Sequence, residues 1–356
     1  MGQWKTIHGS DLPLFAAANS GHGFVSFYED VFGRREILKR YIIKGGPGTG
    51  KSHLMRRVAD AAEKHGRAVA RYCCSSDPES LDGIVIDGKI AVLDGTPPHS
   101  IEPELPGARD EIVNLGSFWD AAKLSRHAGE IAELSQKKSV GYRRAYRFLD
   151  ACDQLYQINR SLILPCVKHE KLEKAVARRL SEIPQGKGFS LLPGLSDGVG
   201  MKGSVHFDTY EHLGKKRYII DDCYDTGALF LRALLTGGGH RACQMRVSYH
   251  PIHIGEPNAV FFEDGEICFV IANESLAARD EGARINMKRF LDAEGIRAVR
   301  EKLRMNRRLY DALLASAEES LAEVGEQHFA MERIYASCMD FEAEERFIRS
   351  FCERIL

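Results

Sequence analysis

The chain has no C-x-x-C pair among its nine cysteines, and an odd count spread this way argues against a disulfide framework and for reduced thiols. No apolar run approaches the ~20 residues that a membrane span needs, so no membrane partner is expected. Net charge is nearly absent: 49 basic residues face 50 acidic ones, for a total of −1. That removes any global attraction to nucleic acid or anionic lipid. The start Met1-Gly2-Gln3-Trp4-Lys5-Thr6 lacks the apolar core of a secretion signal, so a cytoplasmic protein is expected. What remains is a globular composition, 44% hydrophobic and 28% charged, over 356 residues, enough for two domains of ordinary size.

One stretch carries recognisable chemistry. Gly45-Gly46-Pro47-Gly48-Thr49-Gly50-Lys51-Ser52 satisfies G-x-x-x-x-G-K-[ST] and follows the apolar run Arg40-Tyr41-Ile42-Ile43. Glycines let backbone N–H groups turn inward around a phosphate; a lysine at this position reaches the β- and γ-phosphates and the next hydroxyl reaches Mg²⁺. Residues Lys51 to His65 then read as an amphipathic helix with Leu54, Val58 and Ala61 inward, its positive end aimed at the same anion. Further strands are expected at 67–74, 84–86 and 89–94, so the pattern predicts a parallel α/β sheet. From about 117 to 183 the pattern becomes helical, with Pro165 marking a bend before a last helix from Val167 to Ile183. Gly-rich sequence from Pro184 onward predicts a linker between a domain at 1–185 and another at 190–356.

The second domain repeats the first. Lys216-Arg217-Tyr218-Ile219-Ile220 duplicates Lys39-Arg40-Tyr41-Ile42-Ile43 letter for letter, and an ungapped offset of 177 gives further identities to Ile90/Ile267. The helical parts match more weakly at an offset of 172, as in Phe118/Phe290, Asp120/Asp292 and Cys166/Cys338. The chemistry does not repeat. At offset 177 Lys51 faces Ala228 and Ser52 faces Leu229, while Asp221, Asp222 and Asp225 stand where a triphosphate would sit. Asp94, which ends an apolar strand as a Mg²⁺-holding carboxylate does, faces Ile271. Joint loss of the three groups is what a single Mg²⁺–nucleotide site would produce. Asp82 is the fallback for Asp94.

Other candidates are weighed against plainer roles. His99 reads as a surface loop residue or a water-orienting group, and Arg143, Arg144 and Arg147 as a solvated face or, through Arg147, an arginine finger. Cys73-Cys74 reads as strand packing, Tyr249-His250-Pro251-Ile252-His253 as a poor metal motif, and Arg297 to Arg308 as a solvated helix.

The loop is similar to that of AAA-type ATPases, although Asp94 is followed by Gly95 rather than by the Glu that would activate a water. With Cys74-Ser75-Ser76-Asp77-Pro78-Glu79, Asp94-Gly95-Thr96-Pro97-Pro98-His99, Asn114-Leu115-Gly116-Ser117-Phe118-Trp119 and Ala145-Tyr146-Arg147-Phe148, it resembles a family of duplicated P-loop proteins of spore-forming and related anaerobic bacteria. The resemblance implies nucleotide binding or an ATPase and names no substrate. The expectation is therefore a P-loop NTPase-like α/β fold with helical insertions, duplicated in tandem with a degenerate second copy. It would bind Mg²⁺ and ATP at residues 45–52, with Ser52 and Asp94 on the metal and Lys51, Asp94 and Arg147 in phosphoryl chemistry. A slow ATPase leads; a phosphotransferase with a small-molecule acceptor and a nucleotide-gated scaffold with a protein partner are the alternatives.

Overall fold

In the computed structural model, which describes residues 5–7, 12–273 and 282–356, the two copies of the Arg-Tyr-Ile-Ile run lie in separate sheets. The labelled elements of the first half are β1 (Leu14–Phe15), β2 (Lys39–Lys44), α1 (Lys51–Lys64), β3 (Val69–Cys73), β4 (Leu81–Ile86), β5 (Ile90–Asp94), β6 (Asp110–Asn114), α2 (Ala128–Ile163) and α3 (His169–Leu180). Those of the second are β7 (Ser190–Gly194), β8 (Lys216–Asp221), α4 (Gly227–His240), β9 (Gln244–Tyr249), β10 (Pro257–Phe262), β11 (Ile267–Ile271), β12 (Ala283–Asn286), α5 (Ala293–Ser337) and α6 (Phe341–Ile355). The sheets share one strand order: β1-β3-β4-β5-β2-β6 and β7-β9-β10-β11-β8-β12.

Each sheet is mixed rather than parallel throughout. β4 runs antiparallel to both β3 and β5, and β10 likewise to β9 and β11. The reason is local. Asp87 and Gly88 both take positive φ, 50° and 66°, and so close a tight hairpin between β4 and β5. The strands that matter for the loop do run parallel: β2 lies between β5 and β6, with Ile43 opposite Asp94.

The repeat also changes register. From helix to hairpin the offset is 176, not 177, because the turn before α4 (222–226) is one residue shorter than the turn before α1 (45–50). Burial follows this register: Leu54, Met55, Val58 and Ala62 of α1 correspond to Phe230, Leu231, Leu234 and Gly238 of α4. Lys51 therefore matches Gly227, Ser52 matches Ala228 and Asp82 matches Asn258, so both the lysine and the hydroxyl remain lost.

The helices after each sheet cross to the other half. α2, 36 residues, and α5, 45 residues, pack antiparallel along their length, since partner numbers fall as α2 advances: Lys138 with His328, Arg144 with Ser320, Asn159 with Asn306. α3 then buries Leu172 and Val176 against the second sheet, in a core with Tyr218, Phe230 and Phe269. α6 buries Ile348, Phe351 and Ile355 against the first, in a core with Tyr41, Leu54 and Val58. At roughly 1.5–3 kcal/mol per fully buried large side chain, each crossing is a substantial part of its host's core. The crossover is pinned by hydrogen bonds that obey the 172 offset: Asp120 N–H to Cys338 O and Asp292 N–H to Cys166 O, 2.7 and 2.8 Å, and Lys168 N–H to Phe290 O and Asp340 N–H to Phe118 O, 2.7 and 2.8 Å. The linker at 184–190 divides the two sheets, whereas the packing ignores it.

Candidate functional site

The glycine loop leaves β2 beside the end of β5 and enters α1 directly. Gly48 and Gly50 hold φ of 68° and 79°, the left-handed region that favours glycine, and Gly50 is the residue immediately before the helix. Thr49 Oγ1 donates to Gly46 O at 2.8 Å and tightens the turn. Lys51 folds back over it: Nζ donates to Gly45 O at 3.1 Å and Gly46 O at 2.8 Å, and stands 3.5 Å from Asp94 Oδ2. The loop, lysine and strand-end carboxylate predicted from sequence are thus brought together. Ser52 begins α1 as well, where its hydroxyl accepts from Leu81 N–H at 3.0 Å.

Asp94 is enclosed. Burial pushes its carboxyl pKa up, against the pull of Lys51 and of the Thr96 hydroxyl and N–H, which donate at 2.6 and 2.8 Å, while Asp82 adds to the rise. Asp82 is its cross-strand neighbour, one step beyond the Gly83–Leu93 pair. Two buried carboxylates on adjacent strands, with one lysine between them and the loop, form a site short of positive charge.

His99 is not a surface residue. It is 8% exposed, stacks on Tyr28 with centroids 4.2 Å apart, and places Nε2 3.2 Å from Asp82 Oδ2. Burial and the Asp82 charge push the Cys73 thiol up to about 12 and the Cys74 thiol well above its usual range, so both stay protonated. Arg147 is not at the loop. It lies exposed in a groove between α2 and α5 with Asp150, Gln154, Leu309 and Ser316, because the inward stripe of α2 runs through Gly141, Ala145, Leu149 and Cys152. Arg144 is tied to Ser320 and Glu323. Of the cationic residues of α2, Lys138 is the one that faces the site: burial lowers its pKa, countered by Glu332 and assisted by Lys51.

The second half supplies a wall that the sequence reading did not include. A Cβ on Gly46 would come within 2.6 Å of the Tyr335 ring, and one on Gly48 within 2.6 Å of Glu332 O. At Gly50 the neighbour is the Glu344 carboxylate, on the first turn of α6. Glu344 is buried, its Oε1 has no hydrogen-bond partner among the described residues, and burial with the neighbouring Glu345 charge pushes its pKa up to about 7. The 172 offset could have pointed to it, since Glu344 stands where the first half has Leu172, a core residue of the opposite sheet.

Comparison of the chain with protein-family models, curated proteins and solved structures found no match. Among the described residues no helix is long and apolar enough to cross a membrane.

Proposed function

We propose that the chain is a Mg²⁺–ATP-binding P-loop protein with one competent site, residues 45–52, and that it hydrolyses ATP slowly. The observation that carries this reading is the conjunction at the loop: a strand end, two left-handed glycines, a helix N-terminus, and Lys51 reaching back to within 3.5 Å of Asp94. In the absence of phosphate Lys51 satisfies itself on two loop carbonyls; a triphosphate would exchange those acceptors for stronger charged ones. Ser52 and Asp94 fit a divalent ion, because Asp94 is buried and its negative charge, with that of Asp82 beside it, is met by a single close lysine. Bound Mg²⁺–ATP would supply the phosphoryl group, its metal bridging phosphate oxygens. The chain would contribute the N–H cradle, the Lys51 charge against the transferred phosphoryl, and the carboxylates. Turnover is slow in this reading because Asp94 leads into Gly95, with no carboxylate following it to activate water.

A second reading is favoured by the wall from the second half. Glu332, Tyr335 and Glu344 press on the loop's glycines, and a carboxylate there opposes an incoming phosphate. Nucleotide would then shift how the α5–α6 corner sits, which makes the site a gate as well as a catalyst.

Mg²⁺–ATP at ~100 times its dissociation constant should stabilise the protein by about 2.7 kcal/mol, read as a rise in melting temperature that Lys51→Ala removes. Absence of a shift with every Mg²⁺–nucleotide tried would sink the proposal.

A further inference from the structure

Where the first half carries its glycine loop, the second encloses a cavity of ≈ 140 Å³ between the ends of its strands and the two long helices. Its floor is the shortened turn 222–226. Asp222 Oδ1 accepts from Gly227 N–H at 2.6 Å, at the N-terminus of α4. Tyr224 and Asp225 both take φ of 57°, the left-handed region, which costs about 1–3 kcal/mol for each such residue. Asp225 lines the cavity, and among the described residues no group donates a hydrogen bond to it or pairs with it. Burial by the surrounding chain and the charge of Asp222 hold its carboxyl at about 7. Asp225 is close enough to Tyr156 of α2 and Tyr310 of α5 to raise both phenols.

The cations around this cavity are already committed. Arg160 and Arg232 both meet Glu256, and Arg307 meets Asp311. His206 loses positive character through burial but regains it from Asp197 at 2.7 Å and Glu211 at 2.9 Å, so its pKa rises to about 10 with two carboxylates against one charge. His250 and His253, stacked at 4.4 Å, are pushed down by burial and stay neutral, His253 between Asp153 at 2.7 Å and the Tyr310 hydroxyl at 3.0 Å. The cavity therefore carries uncompensated negative charge at Asp222 and Asp225, beside aromatic rings. None of this is inherited: the first half has Ala17 and Ser26 where the second has Asp197 and His206, at the offset of 180 that aligns the hairpins 17–26 and 197–206.

We propose that this cavity binds a small organic cation, an amine or a guanidinium, held by Asp222 and Asp225 and flanked by Tyr156 and Tyr310. An organic cation relieves the repulsion between the carboxylates and is also attracted to aromatic faces. A neutral polyol would leave the repulsion in place. An inorganic ion would need a ligand cluster, and the described residues hold no group of three or more His, Cys, Asp or Glu placed for one.

Titration calorimetry on the full chain tests this with 1,4-diaminobutane and 4-guanidinobutylamine against 1,4-butanediol, MgCl₂, ZnCl₂ and capped lysine amide. A free amine or guanidine should bind at least about tenfold more tightly than the diol, in wild type and in Lys51→Ala alike. Asp225→Asn should weaken that binding about tenfold or more while melting no lower than wild type, because asparagine accepts left-handed φ and removes the repulsion. Equal binding of the diol, binding confined to the metals or the capped lysine, no binding at all, or unchanged affinity in Asp225→Asn would each overturn the proposal.

Discussion

Glu344 shows how far a single residue can be placed against local preference. A glutamate lies buried at the spot where the pseudo-equivalent helix uses a leucine, and it faces the loop expected to take phosphate. Its raised pKa, about 7 against 4.5 for a free glutamate, has a definite sign. The protonated form is favoured in the folded state, so the contribution is complete below about pH 4.5 and is lost as pH rises through about 7. Glu344→Gln should therefore match wild type in stability near pH 4 and exceed it by about 1–3 kcal/mol at pH 8. Under the proposed function it should also flatten the weakening of ATP binding between pH 6 and pH 8. Urea titrations at the three pH values check the first effect and fluorescence titrations the second. Glu345 cannot mimic it, since Arg57, at 2.7 Å, holds that carboxyl down to about 2.

At the scale of elements, the crossing helices decide which half depends on which. Phe351 of α6 is 1% exposed and meets Tyr41 of β2 with centroids 5.1 Å apart, across 310 positions of sequence. Phe351→Ala should cost about 3–5 kcal/mol. Amide exchange should accelerate first in β2 and α1, which Phe351 supports, and later in β8 and α4, which rest on α3. Uniform acceleration in both sheets would contradict the crossing. The same elements show what was legible in sequence. The loop, the helix over 51–64, the Pro165 bend and the duplication all rest on local chemistry or on letters that match, and they stand in the structure. The antiparallel β4 was signalled by Asp87-Gly88, a hairpin dipeptide whose consequence for strand direction outranks the α/β expectation. The one-residue shift hid because Thr49/Thr226 and Leu54/Leu231 agree by letter at offset 177 while burial agrees at 176. The crossing itself was not legible: an apolar stripe on α3 or α6 says that a face is buried, and not against which of two similar sheets. For the same reason the cavity of the second half escaped, since Asp225, His206 and Tyr156 meet through topology rather than spacing.

At the scale of the molecule, two sheets and two helical arms form an exchange around an approximate twofold, and each arm ends over the other half's strand termini. The first half's loop is closed by Glu332 and Tyr335; the second half's cavity is closed by Tyr156 and Asn159, near the corresponding end of α2. Duplicated and then diverged, the two sites share a frame but no longer any chemistry. This predicts that the halves are interdependent although a flexible linker joins them. A fragment of residues 1–186 would keep its loop but leave the β2–α1 core without Ile348, Phe351 and Ile355, and would expose Leu172 and Val176 of α3. Alone it should behave as a loosely packed, aggregation-prone chain with little nucleotide response. Fragments 1–186 and 187–356, co-expressed, should recover a one-to-one complex with the full chain's melting behaviour and Mg²⁺–ATP shift, because both crossings re-form without the covalent link. Size-exclusion chromatography with light scattering would give the stoichiometry, and thermal scans the recovery. A 1–186 fragment that is monomeric, cooperatively folded and as responsive to nucleotide as the full chain would show that the first sheet does not need the second half's arm. In that case the contacts of Glu332, Tyr335 and Glu344 with the loop would be incidental to its function.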